Sequence, residues 1–266
     1  MREDLQLVCS AVTSLTGKVG QFILQERKRF RADRVEKKGH NDLVSYVDKE
    51  AERMLVDGLA DILPDAGFLT EEKTRTDEGN GLRWIIDPLD GTTNFIHGIP
   101  CYCISIGLFD GNKGLVGVVH ELNLDECFYA SADNGAYLNG EPIRTSNVPS
   151  LADSLIATGF PYHDYDRMKP YMEVFDHCMR HTRGLRRLGS AAADLAYVAA
   201  GRFEVFYEYG LNPWDVAGGI VLVREAGGIV TDFSGEDNPL YGAEIIAGGP
   251  EIQNSFLDVV RERFRP

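Results

Sequence analysis

The segment Leu82-Arg83-Trp84-Ile85-Ile86-Asp87-Pro88-Leu89-Asp90-Gly91-Thr92-Thr93-Asn94-Phe95 constrains the fold more than any other stretch. Its first part is an almost continuous apolar run rather than an alternation, the pattern of a strand covered on both faces. A sheet covered on both faces needs further layers above and below it. The run then delivers two carboxylates three residues apart. Pro88 has no backbone N–H and a fixed φ, and Gly91 tolerates conformations that other residues avoid. The chain is therefore expected to leave the sheet at Pro88 and to aim both acids outward. Thr92 and Thr93 can then open a helix whose free N–H groups face the same space, which suits a phosphate. A plain polar turn with Asp90 as a helix cap is the simpler alternative.

The rest of the sequence supplies the layers. Apolar residues at Leu5, Val8, Cys9, Val12, Leu15, Val19, Phe22 and Ile23 follow the three-and-four spacing of a helix over 5–24. Ser45-x-x-Asp48 reads as a capping-box start for a second helix that carries Ala51, Leu55 and Leu59 before Pro64. A short strand is expected over 67–70, and 74–81 reads as a loop. Between 103 and 137 the pattern becomes strands broken by turns, with Asp110-Gly111 as a hairpin signal, hence an antiparallel meander. Strands over 155–158, 203–207, 229–231 and 244–247 then alternate with helices over 165–181, 191–200, 213–226 and from 250. Layered α and β structure with mixed sheets follows. We expect one domain, 1–266, made of two closely packed halves of about 1–145 and 146–266.

Composition narrows the function classes. Of 266 residues, 41 are acidic and 27 basic, a formal charge of −14. That disfavours a dominant nucleic-acid or anionic-membrane surface and suits a cation-binding protein. No uninterrupted apolar run approaches the roughly 18–20 residues of a membrane span, so a cytoplasmic protein without a membrane partner is expected. Cys9, Cys101, Cys103, Cys127 and Cys178 are odd in number and scattered, and are expected to be free thiols. Cys101-x-Cys103 lacks the partner spacing of a zinc site.

Two further carboxylate segments accompany the first. Glu71-Glu72 follows the apolar Phe68-Leu69, and Asp215 lies in Asn212-Pro213-Trp214-Asp215-Val216-Ala217-Gly218-Gly219 at a helix start. Each alone has a bland explanation, a solvated corner or a dipole-stabilising first-turn acid. Together with Asp87 and Asp90 they place acids at the ends of three elements.

Asp87-Pro88-Leu89-Asp90-Gly91-Thr92-Thr93-Asn94-Phe95 and Trp214-Asp215-Val216-Ala217-Gly218 closely resemble the two signatures of the inositol monophosphatase family, Mg²⁺-dependent and lithium-sensitive phosphatases. Residues 157–162 and 186–201 resemble its bacterial inositol-1-monophosphatase branch. The resemblance runs the length of the chain and implies an α/β fold, a layered αβαβα sandwich shared with fructose-1,6-bisphosphatase-like proteins, and a homodimer. Carried over by position, it implies that Glu71, Asp87 and the backbone carbonyl of Leu89 hold one Mg²⁺. Asp87, Asp90 and Asp215 hold a second, with two or three ions per site. Glu71 and Thr92 would orient the attacking water, with Asp48 accepting a hydrogen bond from Thr92. The Gly91 and Thr92 amides would hold phosphate oxygens. Asp90, Gly189, Ser190, Ala191, Glu208 and Asp215 would face the alcohol. Lys37 aligns with a lysine that lies near the site in relatives. The sequence departs from the family at Thr70, where Gly is usual, and at Lys73, where a small hydroxyl residue is usual.

The activity so implied is hydrolysis of inositol-1-phosphate or a similar small polyol phosphate. Fructose-1,6-bisphosphate or a 3′-phosphonucleotide is the alternative substrate within the fold. A protein- or RNA-binding regulatory role is the alternative outside it. That last reading rests on local charge. Residues 27–38 hold seven basic side chains against two acidic ones, and Arg180, Arg183, Arg186 and Arg187 form a second cluster.

Overall fold

The computed structural model describes residues 2–30, 35–37, 43–162 and 164–264. Arg31, Arg34 and Lys38 of the basic stretch lie outside the described residues, as does the side chain of Lys37. In chain order the elements are α1 (Arg2–Arg29), β1 (Val35–Lys37), β2 (Leu43–Ser45), α2 (Tyr46–Ile62), β3 (Ala66–Thr70), β4 (Thr76–Gly79), β5 (Leu82–Asp90) and α3 (Thr92–His97). The meander follows as β6 (Cys103–Asp110), β7 (Lys113–Glu121), β8 (Glu126–Ser131), β9 (Ala136–Leu138) and β10 (Glu141–Ile143). Then come β11 (Leu155–Thr158), α4 (Met168–His181), β12 (Gly184–Arg186), α5 (Ala191–Ala199), β13 (Val205–Tyr209), α6 (Pro213–Glu225), β14 (Ile229–Thr231), β15 (Glu244–Gly248) and α7 (Gln253–Arg263).

Two sheets carry the layers. The larger has the order β10-β9-β8-β7-β6-β5-β3-β4, and only its β3–β5 pair is parallel. The smaller runs β12-β11-β13-β15-β14, with β11 parallel to both neighbours and the other pairs antiparallel. Side-chain alternation divides β5 between two cores. Trp84 and Ile86 pack towards α1 and α2, and Ile85 packs with α5 and α6. In the smaller sheet, Val205 and Tyr207 meet α4 and α7, whereas Phe206 faces α5 and α6. The result is the expected αβαβα sandwich, with α5 and α6 as its shared middle layer.

The middle layer sits very close to the larger sheet. A Cβ on Gly117 would stand 2.5 Å from the Gly218 carbonyl oxygen, and one on Gly107 would stand 2.8 Å from the Ala217 Cβ. Glycine there permits near backbone-to-backbone approach of α6 to β6 and β7.

Four expectations need correction. β5 does not end at Pro88 but continues to Asp90 across an irregularity in its pairing with β6. Asp87 pairs with Ser105 and Asp90 with Cys103, so three steps on β5 match two on β6. This is a one-residue bulge, a place where a proline without N–H is tolerated in a sheet. Asp87 is also not aimed outward, since it is almost fully buried. The stretch expected as a loop contains β4, an edge strand held antiparallel to β3. Helix α1 is longer than expected, and Asp4–Arg29 is apolar enough by length and composition to cross a membrane. One of its faces is covered instead, with Val12, Val19 and Ile23 fully buried against the α2 and β7 side of the larger sheet. The five cysteines are free.

Candidate active site

The bulge decides which way the acids of β5 face. Adjacent residues of a strand point to opposite faces, so Asp87 and Asp90, an odd number apart, would ordinarily diverge. The extra residue restores the phase. Both acids then pair with Cys103 and Ser105 and share the face that meets α5 and α6. After Asp90, Gly91 takes φ 92° and begins α3 as its N-cap, a left-handed conformation that glycine adopts freely. Gly91 therefore holds the capping position that the simpler alternative gave to Asp90.

A cavity of about 570 Å³ opens where the ends of β3, β5, α5, β13 and α6 meet. Glu71, Asp87, Leu89, Asp90, Gly91 and Thr92 line it from the first half of the chain. Gly189, Ser190, Ala191, Glu208 and Asp215 line it from the second half. Of the expected site residues, only Asp48 is absent from the wall. It lies directly behind it, where Thr92 Oγ1 donates to Asp48 Oδ1 at 2.9 Å. The other oxygen, Oδ2, accepts from Ser45 N at 2.9 Å and Ser45 Oγ at 2.6 Å, so Asp48 caps α2 and orients Thr92 together.

Each carboxylate is placed by its element. Asp87 Oδ1 accepts from Leu89 N at 2.9 Å. Asp90 Oδ2 accepts from Ser190 Oγ and from Ala192 N, both at 2.7 Å. Ser190 Oγ also accepts from Ala193 N at 3.2 Å as the cap of α5, so this hydroxyl is fully engaged within the protein. Asp215 Oδ2 accepts from Asn212 N at 2.7 Å, fixing the first turn of α6 after Pro213. Glu208 shares the inner face of β13 with Phe206, by the same alternation. Its carboxylate lies against Gly159, where an added Cβ would be 2.0 Å from Oε2.

These acids share a strained electrostatic environment. Burial, then the charges of Glu71, Asp90 and Asp215, pushes the Asp87 carboxyl well above its ordinary range. Asp215 is raised in the same way by burial and by Asp90 and Glu71. Burial raises Asp90 to about 6, against hydrogen bonds from Ser190 and Ala192 and the charge of Arg187. Burial raises Glu208 to about 8, with Arg187 opposing and Asp90 adding to the rise. Like charges collected under desolvation are relieved by a cation. The donors, all carboxylate or carbonyl oxygens, fit a hard divalent ion. They stand around the cavity rather than closing on one another, and among the described residues no three such groups form a metal-sized cluster.

The structure adds two acids, Glu52 and Asp194, that the sequence did not single out. Glu52, wholly buried in α2, accepts from Glu72 N at 2.7 Å and from Thr74 N at 2.8 Å. It clamps the turn that carries Glu71. In that turn Lys73 adopts φ 60° and also lines the cavity, while Thr70 is buried and donates to the Arg75 carbonyl at 3.2 Å. The two departures from the family pattern thus lie on either side of Glu71. Asp194 of α5 and Arg187 join the wall beside Glu208. A signal for Asp194 existed, as the one charge in the apolar run 191–200.

The model of the inositol monophosphatase family matches residues 4–263. The chain is 39% identical over 246 residues to Nus factor SuhB of Escherichia coli, covering 92% of each protein. It is 41% identical over 233 residues to the fructose-1,6-bisphosphatase/inositol-1-monophosphatase of Thermotoga maritima, covering 87% of this chain and 88% of that protein. The crystal structure of extragenic suppressor protein suhB from Bartonella henselae matches with a TM-score of 0.91 at 37% identity, over 96% of this chain and 99% of that one. The signatures at 87–95 and 214–218, the layered fold and these relatives agree: the chain belongs to the inositol monophosphatase family.

Proposed function

We propose that the protein is a Mg²⁺-dependent phosphomonoesterase that releases phosphate from inositol-1-phosphate or a similar small polyol phosphate. The observation that carries this reading is the convergence of Glu71, Asp87, Asp90 and Asp215, from three separate chain segments, on one cavity that Glu208 also lines. Glu71, Asp87 and the Leu89 carbonyl would hold one ion, and Asp87, Asp90 and Asp215 a second, with room for two or three in all. When bound, paired divalent ions activate water and neutralise charge on the attacking and leaving oxygens.

The chain's own groups do the rest. Thr92, held by Asp48, and Glu71 orient the attacking water. The Gly91 and Thr92 amides donate hydrogen bonds to the phosphate oxygens. The backbone of 189–191 and the Glu208 carboxylate hold the alcohol, and the engaged Ser190 hydroxyl acts by fixing Asp90. The relative from Thermotoga maritima bears both substrate names, so fructose-1,6-bisphosphate is the substrate alternative, with a 3′-phosphonucleotide as another. We further propose a cytoplasmic homodimer, sensitive to lithium, that folds as one domain.

Phosphate release from inositol-1-phosphate, glycerol-2-phosphate, fructose-1,6-bisphosphate and 3′-phosphoadenosine-5′-phosphate tests this, with Mg²⁺, with chelator and with lithium. Release that needs Mg²⁺, is suppressed by lithium and is strongest on inositol-1-phosphate is expected. Preference for another member of the set overturns the substrate, and chelator-resistant release overturns the metal chemistry. A second reading, binding to RNA or a protein partner, is favoured by the basic last turn of α1, Arg27, Lys28 and Arg29, and by the relative named as a Nus factor. RNA affinity that falls steeply with salt supports it, and no binding at low salt removes it.

A further inference from the structure

Asp194 sits one turn into α5, which Ser190 caps, and helical side chains lean back towards the N-terminus of their helix. Its carboxyl therefore points to the end of α5 that forms the cavity wall, and it lines that cavity. The residue is 1% exposed, and no protein donor among the described residues reaches its Oδ1. Several other buried acids have donors. Asp48 has Ser45 and Thr92, Glu52 has two backbone amides, and Glu204 has Ser146 Oγ and Leu155 N. A buried acceptor without a donor is unfavourable unless something else supplies the hydrogen.

Glu208 stands next to it, close enough for their charges to interact. Arg187, the nearby cation, donates instead to the Tyr162 hydroxyl at 3.2 Å. The wall around the first turn of α5 thus holds two neighbouring carboxyl groups, Asp194 and Glu208, both lining the cavity.

We infer that Asp194 is a specificity-determining residue, whose buried carboxyl accepts a hydrogen bond from a hydroxyl of the substrate alcohol beside the one accepted by Glu208. This deepens the proposed phosphatase reading and rests on it. The chemistry selected is an uncharged alcohol with several hydroxyls. An alcohol with no free hydroxyl leaves Asp194 without a partner.

The test compares inositol-1-phosphate with isopropyl phosphate, which offers no free hydroxyl, in the wild-type protein and in Asp194→Asn and Asp194→Ala. Melting temperatures confirm that the variants are folded. The ratio of kcat/KM for inositol-1-phosphate to that for isopropyl phosphate is expected to fall by about 10-fold or more in Asp194→Ala, with a smaller fall in Asp194→Asn, which keeps an acceptor oxygen. A ratio within about twofold of wild type overturns the inference, whether both activities fall together or neither changes. Calorimetric binding of inositol-1-phosphate is measured on the same proteins. If the wild type turns over neither substrate, the phosphatase reading fails. Weaker binding by Asp194→Ala then still supports the contact, and equal binding overturns it.

Discussion

Ser190 Oγ donates to Asp90 Oδ2 across 2.7 Å and so ties the cap of α5 to the bulged end of β5. With Ala192 N, which donates to the same oxygen at 2.7 Å, it joins the middle layer to the larger sheet at the point where the cavity opens. Replacing Asp90 by Asn keeps the shape but removes a charge and an acceptor that both Ser190 and Ala192 use. Turnover is expected to fall by roughly 10³-fold or more at saturating Mg²⁺, with the fold retained by circular dichroism. Activity near wild type would end the assignment of Asp90 as an ion ligand.

Thr92 depends on Asp48 for its orientation. Thr92→Val removes the hydroxyl while keeping the branched shape, and kcat is expected to drop by about 10²-fold, with Thr92→Ser recovering most of it. Steady-state kinetics on inositol-1-phosphate decide this. Equal losses in both variants would show that the methyl group, not the hydroxyl, matters.

Glu52 holds the Glu71 turn by two backbone amides. Glu52→Ala takes the acceptor from both amides of a partly exposed turn, at about 0.5–1.5 kcal/mol each. The melting temperature is expected to fall, and the Mg²⁺ concentration for half-maximal activity to rise. An unchanged Mg²⁺ requirement would separate Glu52 from the metal end of the cavity.

Without divalent ions, stability is expected to fall as pH rises. Folding raises Asp90 from 3.8 to about 6 and Glu208 from 4.5 to about 8, chiefly by burial. The folded state therefore binds more protons than the unfolded one between these limits. The stabilisation is complete below about pH 4 and is lost as pH passes through 6 and then 8. Melting in chelator at pH 5 and pH 8.5 checks the sign. A higher melting temperature at pH 8.5 would contradict it, and added Mg²⁺ should recover part of the loss by binding the ionised acids.

Gly159→Ala should act through Glu208 alone. Its Cβ would be 2.0 Å from Glu208 Oε2 and would push the carboxylate aside. KM for inositol-1-phosphate is expected to rise by about 10-fold. An unchanged KM would mean that Glu208 does not touch the alcohol.

What the sequence revealed depended on how local the cause was. The capping box of Ser45 and Asp48 and the hairpin turn at Asp110-Gly111 are written in neighbouring residues, and both formed as expected. The continuous run before Asp87 correctly required cover on both faces. Pro88 misled because its effect depends on β6, whose pairing absorbs the extra residue as a bulge. β4 and β12 escaped notice because short edge strands take their order from a neighbour rather than from their own residues. Glu52 carried no signal of its own, because its role is set by the Glu71 turn that folds over it. The acids of the cavity were legible as motifs. Their company, Asp194 and Arg187, was set by tertiary packing.

The near contact of α6 with β6 and β7 has a consequence for how the active site keeps its gauge. Asp215 reaches the acids of β5 from a helix whose standoff is set by peptide atoms at Gly117 and Gly218, not by the girth of side chains. Bulky core residues elsewhere are thus free to drift in size over evolutionary time without respacing the ligands. A designer who wishes to open or narrow the gap has those two small residues as the adjusting screws.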